Sequence, residues 1–181
     1  MTRIRSLALA AGTLCLALSA GSAAAHVTLE TREAPAGSYY KAVLKVGHGC
    51  DGSPTTAIRV RLPDGAVLAK PMPKPGWTLA TKEGPYAQPY DQPYESHGRS
   101  ITQGVTEIAW TAGSLPDAWY DEFVFQVVLP KQPAGTMIYI PVVQECEKGV
   151  HRWIEIPEAG KPADDYREPA PGLKLTEPKQ H

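Results

Sequence analysis

The sequence lacks the features that mark nucleic-acid-binding and membrane-spanning proteins. Its 18 Lys and Arg residues are balanced by 19 Asp and Glu residues, so no basic excess points to a nucleic-acid partner. After residue 25, no stretch approaches the roughly 18 consecutive apolar residues of a transmembrane helix. Gly-rich phosphate loops, Gly-x-Ser-x-Gly elbows and His-Glu-x-x-His pairs are also missing. We therefore expect a soluble mature chain that carries none of these catalytic motifs.

Residues 1–25 are predicted to be a secretory signal peptide. Arg3 and Arg5 give a positive start, and residues 7–18 form an apolar run too short to act as a membrane anchor. The small residues that follow suit cleavage directly before His26. Cleavage there leaves 156 of the 181 residues, and the loss of Arg3 and Arg5 moves the net charge from −1 to −3. The mature protein is therefore expected to be periplasmic or secreted, without a membrane anchor.

Cysteine is scarce, and its count is informative. Of the three cysteines, Cys15 would leave with the signal peptide, so the mature chain keeps Cys50 and Cys146. Two cysteines in an oxidising compartment most often pair, which predicts a disulfide between them. Closing a loop of about 100 residues would stabilise the fold by about 4–5 kcal/mol. The alternative is a thiolate metal site in which Cys50 acts with the nearby His48.

Helical periodicity is almost absent, whereas 16 glycines and 18 prolines punctuate the chain. Between them, short segments alternate apolar and polar residues, as Ile58, Val60 and Leu62 do with their neighbours. The predicted strands are 27–30, 39–46, 57–62, 77–81, 101–110, 122–129, 137–143 and 150–156. Seven or eight such strands predict an all-β fold, an antiparallel two-sheet sandwich of immunoglobulin-like type.

Two segments interrupt the strand pattern. Residues 84–98 carry Tyr86, Tyr90 and Tyr94 among prolines, which predicts a long loop. Residues 158–181 are rich in proline and charge and have little to bury, which predicts a flexible tail. The folded domain is therefore expected to cover residues 26–157.

Cleavage before His26 would create a metal chelator at the new N-terminus. The α-amino nitrogen and Nδ1 of one histidine can bind the same ion, and both donors suit copper(II), which tops the Irving–Williams order. One carboxylate would reduce the charge buried with the ion. Glu33 precedes a Pro-Ala-Gly sequence whose turn could bring it back, whereas Glu30 lies on a strand running away from His26. Either glutamate could instead be an ordinary surface residue.

The other aromatic and imidazole residues give weaker signals. Trp153 lies among strand residues, so it could be a core aromatic or a ring that faces a cation. His48, His97 and His151 are scattered and lack a ligand spacing such as His-x-His. They are predicted to be surface or structural residues, and whether one of them adds a metal ligand stays open.

Several ordered segments resemble the YcnI-like proteins, a bacterial exported family. The segments are Ala-His-Val-Thr-Leu-Glu at 25–30, Glu-Ala-Pro-Ala-Gly-Ser at 33–38, His-Gly-Cys-Asp-Gly-Ser-Pro-Thr-Thr at 48–56, Lys-Pro-Met-Pro-Lys-Pro-Gly-Trp at 70–77, and the late Trp153. The resemblance implies a β-sandwich of cupredoxin-like appearance that binds one copper(II) ion through a one-histidine brace. In that pattern His26 gives two nitrogens, Glu33 adds a carboxylate, and Trp153 lies close to the metal. The membrane anchor of some family members is not expected here.

The sequence thus predicts a periplasmic copper(II)-binding protein, not an enzyme, that acquires, buffers or delivers copper. Its expected partners are the copper ion and another periplasmic copper carrier. One alternative is an oxidative copper enzyme, because polysaccharide monooxygenases also expose an N-terminal histidine, although they add a second histidine to the brace. The other is a ligand-binding sandwich module that uses the three tyrosines of residues 84–98.

Overall fold

Short strands joined by turns make up the structure, which is a computed structural model that describes residues 26–90 and 100–179. The predicted signal peptide, Tyr94 and His97 lie outside these residues. The strands are β1 Thr28–Leu29, β2 Glu33–Pro35, β3 Tyr39–Val46, β4 Thr55–Arg61, β5 Val67–Pro71, β6 Thr78–Tyr90, β7 Ile101–Thr111, β8 Asp121–Val128, β9 Met137–Tyr139, β10 Val142–Cys146, β11 Val150–Trp153 and β12 Gly172–Thr176. A short 3-10 helix covers Ala163–Asp165. Within the described ranges, no helix has the length and apolar character needed to span a bilayer.

The strands form three sheets, which confirms the predicted all-β class. Four strands pair in the order β1-β3-β8-β5, and five pair in the order β11-β10-β4-β7-β6. All of these neighbours are antiparallel. The third sheet, β2-β12-β9, contains one parallel pair, because β12 runs parallel to β2 and antiparallel to β9.

The core lies between the apolar faces of the two larger sheets. Side chains on a strand alternate between its two faces, so Ile58 and Val60 of β4 point the same way and both are buried. Trp110 of β7 and Phe123 of β8 are fully buried, and their ring centroids lie 5.6 Å apart. Trp77 packs edge-on against the same Phe123 ring at 4.9 Å. Alternating strand residues therefore supply the apolar centre of the sandwich.

The predicted disulfide between Cys50 and Cys146 is confirmed. It joins the segment after β3 to the end of β10, across 96 residues of sequence. The alternative thiolate metal site with His48 is wrong, because both sulfur atoms are bonded to each other. The bridge instead holds the segment that carries His48 against β10.

The predicted flexible tail is wrong for much of its length. Strand β12 pairs with β2 and β9, and its Leu173 and Leu175 are completely buried. These leucines alternate with the exposed Lys174, so β12 has one apolar face. The sequence around β12 is rich in proline and charge, so this short apolar pattern is not evident from composition. The folded domain therefore extends at least to Thr176, beyond the predicted boundary at residue 157.

The predicted loop at residues 84–98 is wrong where the structure describes it. Strand β6 continues to Tyr90, and the Tyr86 hydroxyl accepts a hydrogen bond from the Leu68 N–H at 3.1 Å. Prolines 85 and 89 are compatible with this strand because β6 lies at the edge of its sheet, where a missing N–H need not break the ladder. Two of the three tyrosines thus belong to an edge strand.

Truncation of a buried residue in β12 tests the extended domain boundary. Leu173→Ala should lower the free energy of unfolding by about 2–5 kcal/mol, because it leaves a cavity under a fully buried side chain. Lys174→Ala on the exposed face of the same strand is the matched control and should cost less than about 1 kcal/mol. Urea denaturation followed by circular dichroism measures both. Equal stability of the two variants would contradict the role of β12 in the core.

Candidate metal centre

His26 lies at one end of the sandwich, just before β1. This strand pairs with β3 so that Thr28 faces Lys45. Continuing that antiparallel register by two residues brings His26 level with residue 47, next to His48. The His26 side chain is half-buried, and it has no hydrogen bond or ion pair with another described residue. Its imidazole nitrogens are therefore available to a ligand that approaches from solvent.

The structure brings together two of the three residues predicted to form the metal site. The ring of His26 packs edge-on against the ring of Trp153, with 5.3 Å between their centroids. Trp153 belongs to β11 and is only 3% exposed. A half-buried imidazole is thus backed by a large, buried indole.

A buried amide fixes the indole of Trp153. Its Nε1–H donates to Oε1 of Gln144 at 3.0 Å, and Gln144 is itself only 1% exposed. The side-chain nitrogen of Gln144 donates to the His48 carbonyl at 2.7 Å and to Oγ1 of Thr55 at 2.8 Å. Because buried polar groups are costly when unpaired, this set of bonds allows few other positions for the indole.

His151 lies beside Trp153, and His48 lies beside His151, which sequence spacing alone did not indicate. The ring centroid of His151 is 5.0 Å from that of Trp153 and 6.2 Å from that of His48. His151 and Trp153 are two residues apart in β11 and so share one face of the strand. That alternation is the signal by which His151 could have been found. His48 belongs to the segment that the disulfide holds near β11. Nothing in the sequence indicates that this segment lies next to β11.

A carboxylate orients His151. Nδ1 of His151 lies 2.8 Å from Oε1 of Glu168, and the Arg152 N–H donates to the other oxygen of Glu168 at 2.9 Å. Burial alone would raise the pKa of Glu168. The hydrogen bonds from His151 and the Arg152 N–H outweigh burial, so the pKa of Glu168 is lowered below its ordinary value. The carboxylate therefore favours its ionised form and accepts a hydrogen bond from Nδ1–H of His151.

The structure places Glu33 on the exposed face of β2. Its carboxylate forms an ion pair with Lys174 at 3.3 Å, and both side chains are at least half exposed. None of its described polar contacts is with His26. Glu30 is also exposed, and its carboxylate pairs with Lys45 at 3.5 Å. The predicted carboxylate ligand is therefore near His26 in sequence, but another partner holds it in this structure.

The turn between β1 and β2 is tied to the core by a tyrosine. The buried Tyr40 hydroxyl donates to the carbonyl of Thr31 at 2.6 Å. Burial, together with the negative charge of Glu30, raises the pKa of Tyr40 to about 12. This neutral, hydrogen-bonded phenol limits how far the segment from His26 to Glu33 can shift.

Among residues 26–90 and 100–179, no three His, Cys, Asp or Glu side chains converge as a complete metal site. The rings of His26 and His151 both contact the indole of Trp153, and the ring of His48 contacts that of His151. Such an arrangement can bind a metal if the peptide itself, solvent or a mobile carboxylate completes the coordination.

Comparison with known proteins gives a family and a fold. The profile of a family described as a domain of unknown function, DUF1775, matches residues 26–175. No curated protein matches significantly. The crystal structure of an uncharacterized protein from Nocardia farcinica, described as having an immunoglobulin-like fold, is 26% identical with a TM-score of 0.60. The match covers 83% of this chain and 98% of that one, and it supports the immunoglobulin-like sandwich.

Replacement of the buried amide tests how Trp153 is held. Gln144→Leu should lower the free energy of unfolding by about 1–3 kcal/mol for each group that loses its partner, which are the indole N–H and the His48 carbonyl. Gln126→Leu, at an exposed position in β8, is the matched control and should change stability little. Urea denaturation gives both values. A Gln144 variant as stable as the control would show that the amide does not constrain the indole.

Proposed function

The chain belongs to the DUF1775 family, and we propose that it is an exported copper(II)-binding protein that holds one copper ion per chain at His26. Its role would be to acquire, buffer or deliver copper outside the cytoplasm. The observation that carries the proposal is the contact between the accessible imidazole of His26 and the buried indole of Trp153. The family match also begins at His26, which suits a mature domain that starts there.

The chelating group is the mature N-terminus itself. After cleavage before His26, the α-amino nitrogen and Nδ1 of one residue bind the same ion. Two neutral nitrogens suit copper(II), which forms the most stable complexes of the divalent first-row metals. Trp153 adds no bond in this proposal. Its ring attracts the cation electrostatically and keeps water from one side of the ion.

Glu33 is the proposed carboxylate ligand, and it must exchange Lys174 for the metal. An exposed ion pair contributes only about 0–1 kcal/mol, so releasing Lys174 costs little compared with forming a metal–oxygen bond. The anionic oxygen offsets part of the charge of the ion. The Tyr40 bond to Thr31 keeps the intervening turn close to the core while the Glu33 side chain moves.

Storage or transfer of copper agrees better with this site than oxidative catalysis. The ring packed against His26 is an indole and not a second imidazole, which supports a one-histidine brace. A carboxylate oxygen as third ligand favours copper(II) over copper(I), so repeated redox cycling would be harder. The proposed partner is another copper carrier of the same compartment, and the disulfide supports a periplasmic or secreted location.

Copper binding should depend on a free α-amino group at His26. Protein that begins at His26 should bind one copper(II) per chain, with an electron paramagnetic resonance spectrum typical of nitrogen ligation. Protein with one Met before His26 should lose tight binding, because the α-amino nitrogen is then in a peptide bond. Affinity should also fall as pH falls, since metal binding at both nitrogens must compete with protons.

The same spectra test the third ligand. Glu33→Gln should change the copper spectrum, whereas Glu30→Gln is the matched control and should not, because both carboxylates are exposed and paired with a lysine. Undiminished one-to-one affinity in the Met-extended protein would contradict the brace. An unchanged spectrum in Glu33→Gln would show that Glu33 is not a ligand, and it would leave the two nitrogens of His26 as the proposed site.

A further inference from the structure

We propose that His48 and His151 form a second metal site, which binds a divalent ion of the zinc or copper(II) class through one nitrogen of each ring. It goes beyond the proposed copper brace, because it uses neither His26 nor the α-amino group. It rests on the described positions of the two rings and of the groups that hold them.

The distance between the rings is short enough for a shared metal ion. An imidazole nitrogen binds zinc at about 2.0–2.1 Å, which puts the ion about 3.2 Å from the ring centroid. Two imidazoles on one ion therefore have centroids no more than about 6.4 Å apart. The centroids of His48 and His151 are 6.2 Å apart, which is inside this limit. Because two imidazoles at the tetrahedral angle of zinc have centroids about 5.2 Å apart, the two rings must approach each other by about 1 Å when they bind the ion.

Nδ1 of each ring already forms a hydrogen bond of the kind that metal-binding histidines make with the nitrogen that does not bind the metal. Nδ1–H of His151 donates to the ionised Glu168 carboxylate at 2.8 Å, and Nδ1–H of His48 donates to the carbonyl of Gly49. Because a carboxylate and a carbonyl oxygen can only accept, each bond favours the neutral tautomer in which Nε2 carries the lone pair. Metal-binding histidines almost always make such a bond to a carboxylate or a backbone carbonyl.

The backbone that carries His48 is held firmly. Its carbonyl accepts from Gln144, and the Gly49 N–H donates to the Asp117 carboxylate at 2.9 Å. A Cβ atom at Gly49 would lie 1.9 Å from the Ser53 carbonyl oxygen, so the tight turn there requires glycine. The disulfide at Cys50 then fixes the next residue. His151 is held in turn by β11 pairing with β10.

Two protein ligands make an open and exchangeable site. No third His, Cys, Asp or Glu joins the pair among the described residues, so water would complete the coordination. The His151 side chain is partly exposed, so the ion can reach it. Trp153 contacts His151 as well as His26, so one indole borders both sites. An ion at the second site would therefore lie close to the proposed copper brace.

The test uses the full mature protein with one Met before His26. The added Met blocks the proposed copper brace, so the result does not depend on whether the proposed function is correct. Zinc is titrated while the imidazole 1H–15N correlations of the histidines are recorded. We expect one equivalent of zinc to shift the Nε2 resonances of His48 and His151 together. Because this signal comes from the unchanged rings, it does not depend on a variant that folds.

Variants give the second measurement, with affinity for zinc determined by calorimetry. His48→Ala and His151→Ala should each abolish the one-to-one binding. Glu168→Gln should weaken it by about 10–100-fold, the effect expected for a group that orients a ligand. Glu158→Gln, an exposed carboxylate of the same region, is the matched control and should bind as the parent does. Zinc that shifts neither ring, or affinity that survives loss of both histidines, would overturn the proposal.

Discussion

The side-chain amide of Gln144 is the group on which the candidate metal centre depends. It is buried in β10, where it accepts from the Trp153 indole and donates to the His48 carbonyl and the Thr55 hydroxyl. Without it, the indole N–H and the His48 carbonyl would lose their partners, at a cost of about 1–3 kcal/mol per group. One amide thus orients the indole beside His26 and, through the backbone, the segment that carries His48.

The centre combines parts of the chain that are far apart in sequence. The N-terminal segment supplies His26, the disulfide-linked segment supplies His48, and the β10–β11 hairpin supplies Gln144, His151 and Trp153. Glu168 follows the short 3-10 helix and fixes His151. The antiparallel sheets give a rigid support, and the functional side chains lie at one end of it. Binding sites placed on connecting segments of a rigid scaffold are common in proteins.

Sequence reasoning could predict the sandwich and part of the centre. Alternating residues such as Ile58 and Val60 indicate strands directly, and the count of cysteines indicates the disulfide. Strand β12 was missed because the average composition of residues 158–181 hides the two buried leucines. Strand β6 extends well beyond the predicted strand at 77–81, because its prolines, which usually indicate a loop, lie at a sheet edge.

The position of His48 in the histidine cluster could not be predicted, because it depends on tertiary structure. Spacing rules detect ligands that share a segment, whereas His48 and His151 meet only when the disulfide and the strand pairing bring them together. The role of Gln144 was equally hidden, since a glutamine in a strand is usually exposed. The partner of Glu33, Lys174, lies 141 residues away in sequence, in a segment predicted to be flexible.

X-ray diffraction at the copper edge tests the central claim most directly. Crystals of protein that begins at His26, loaded with one equivalent of copper(II), would be measured just above and below the edge. We predict one strong anomalous peak at the nitrogens of His26, beside the indole of Trp153. A strongest peak at any position away from His26, or no ordered copper at all, would contradict the account.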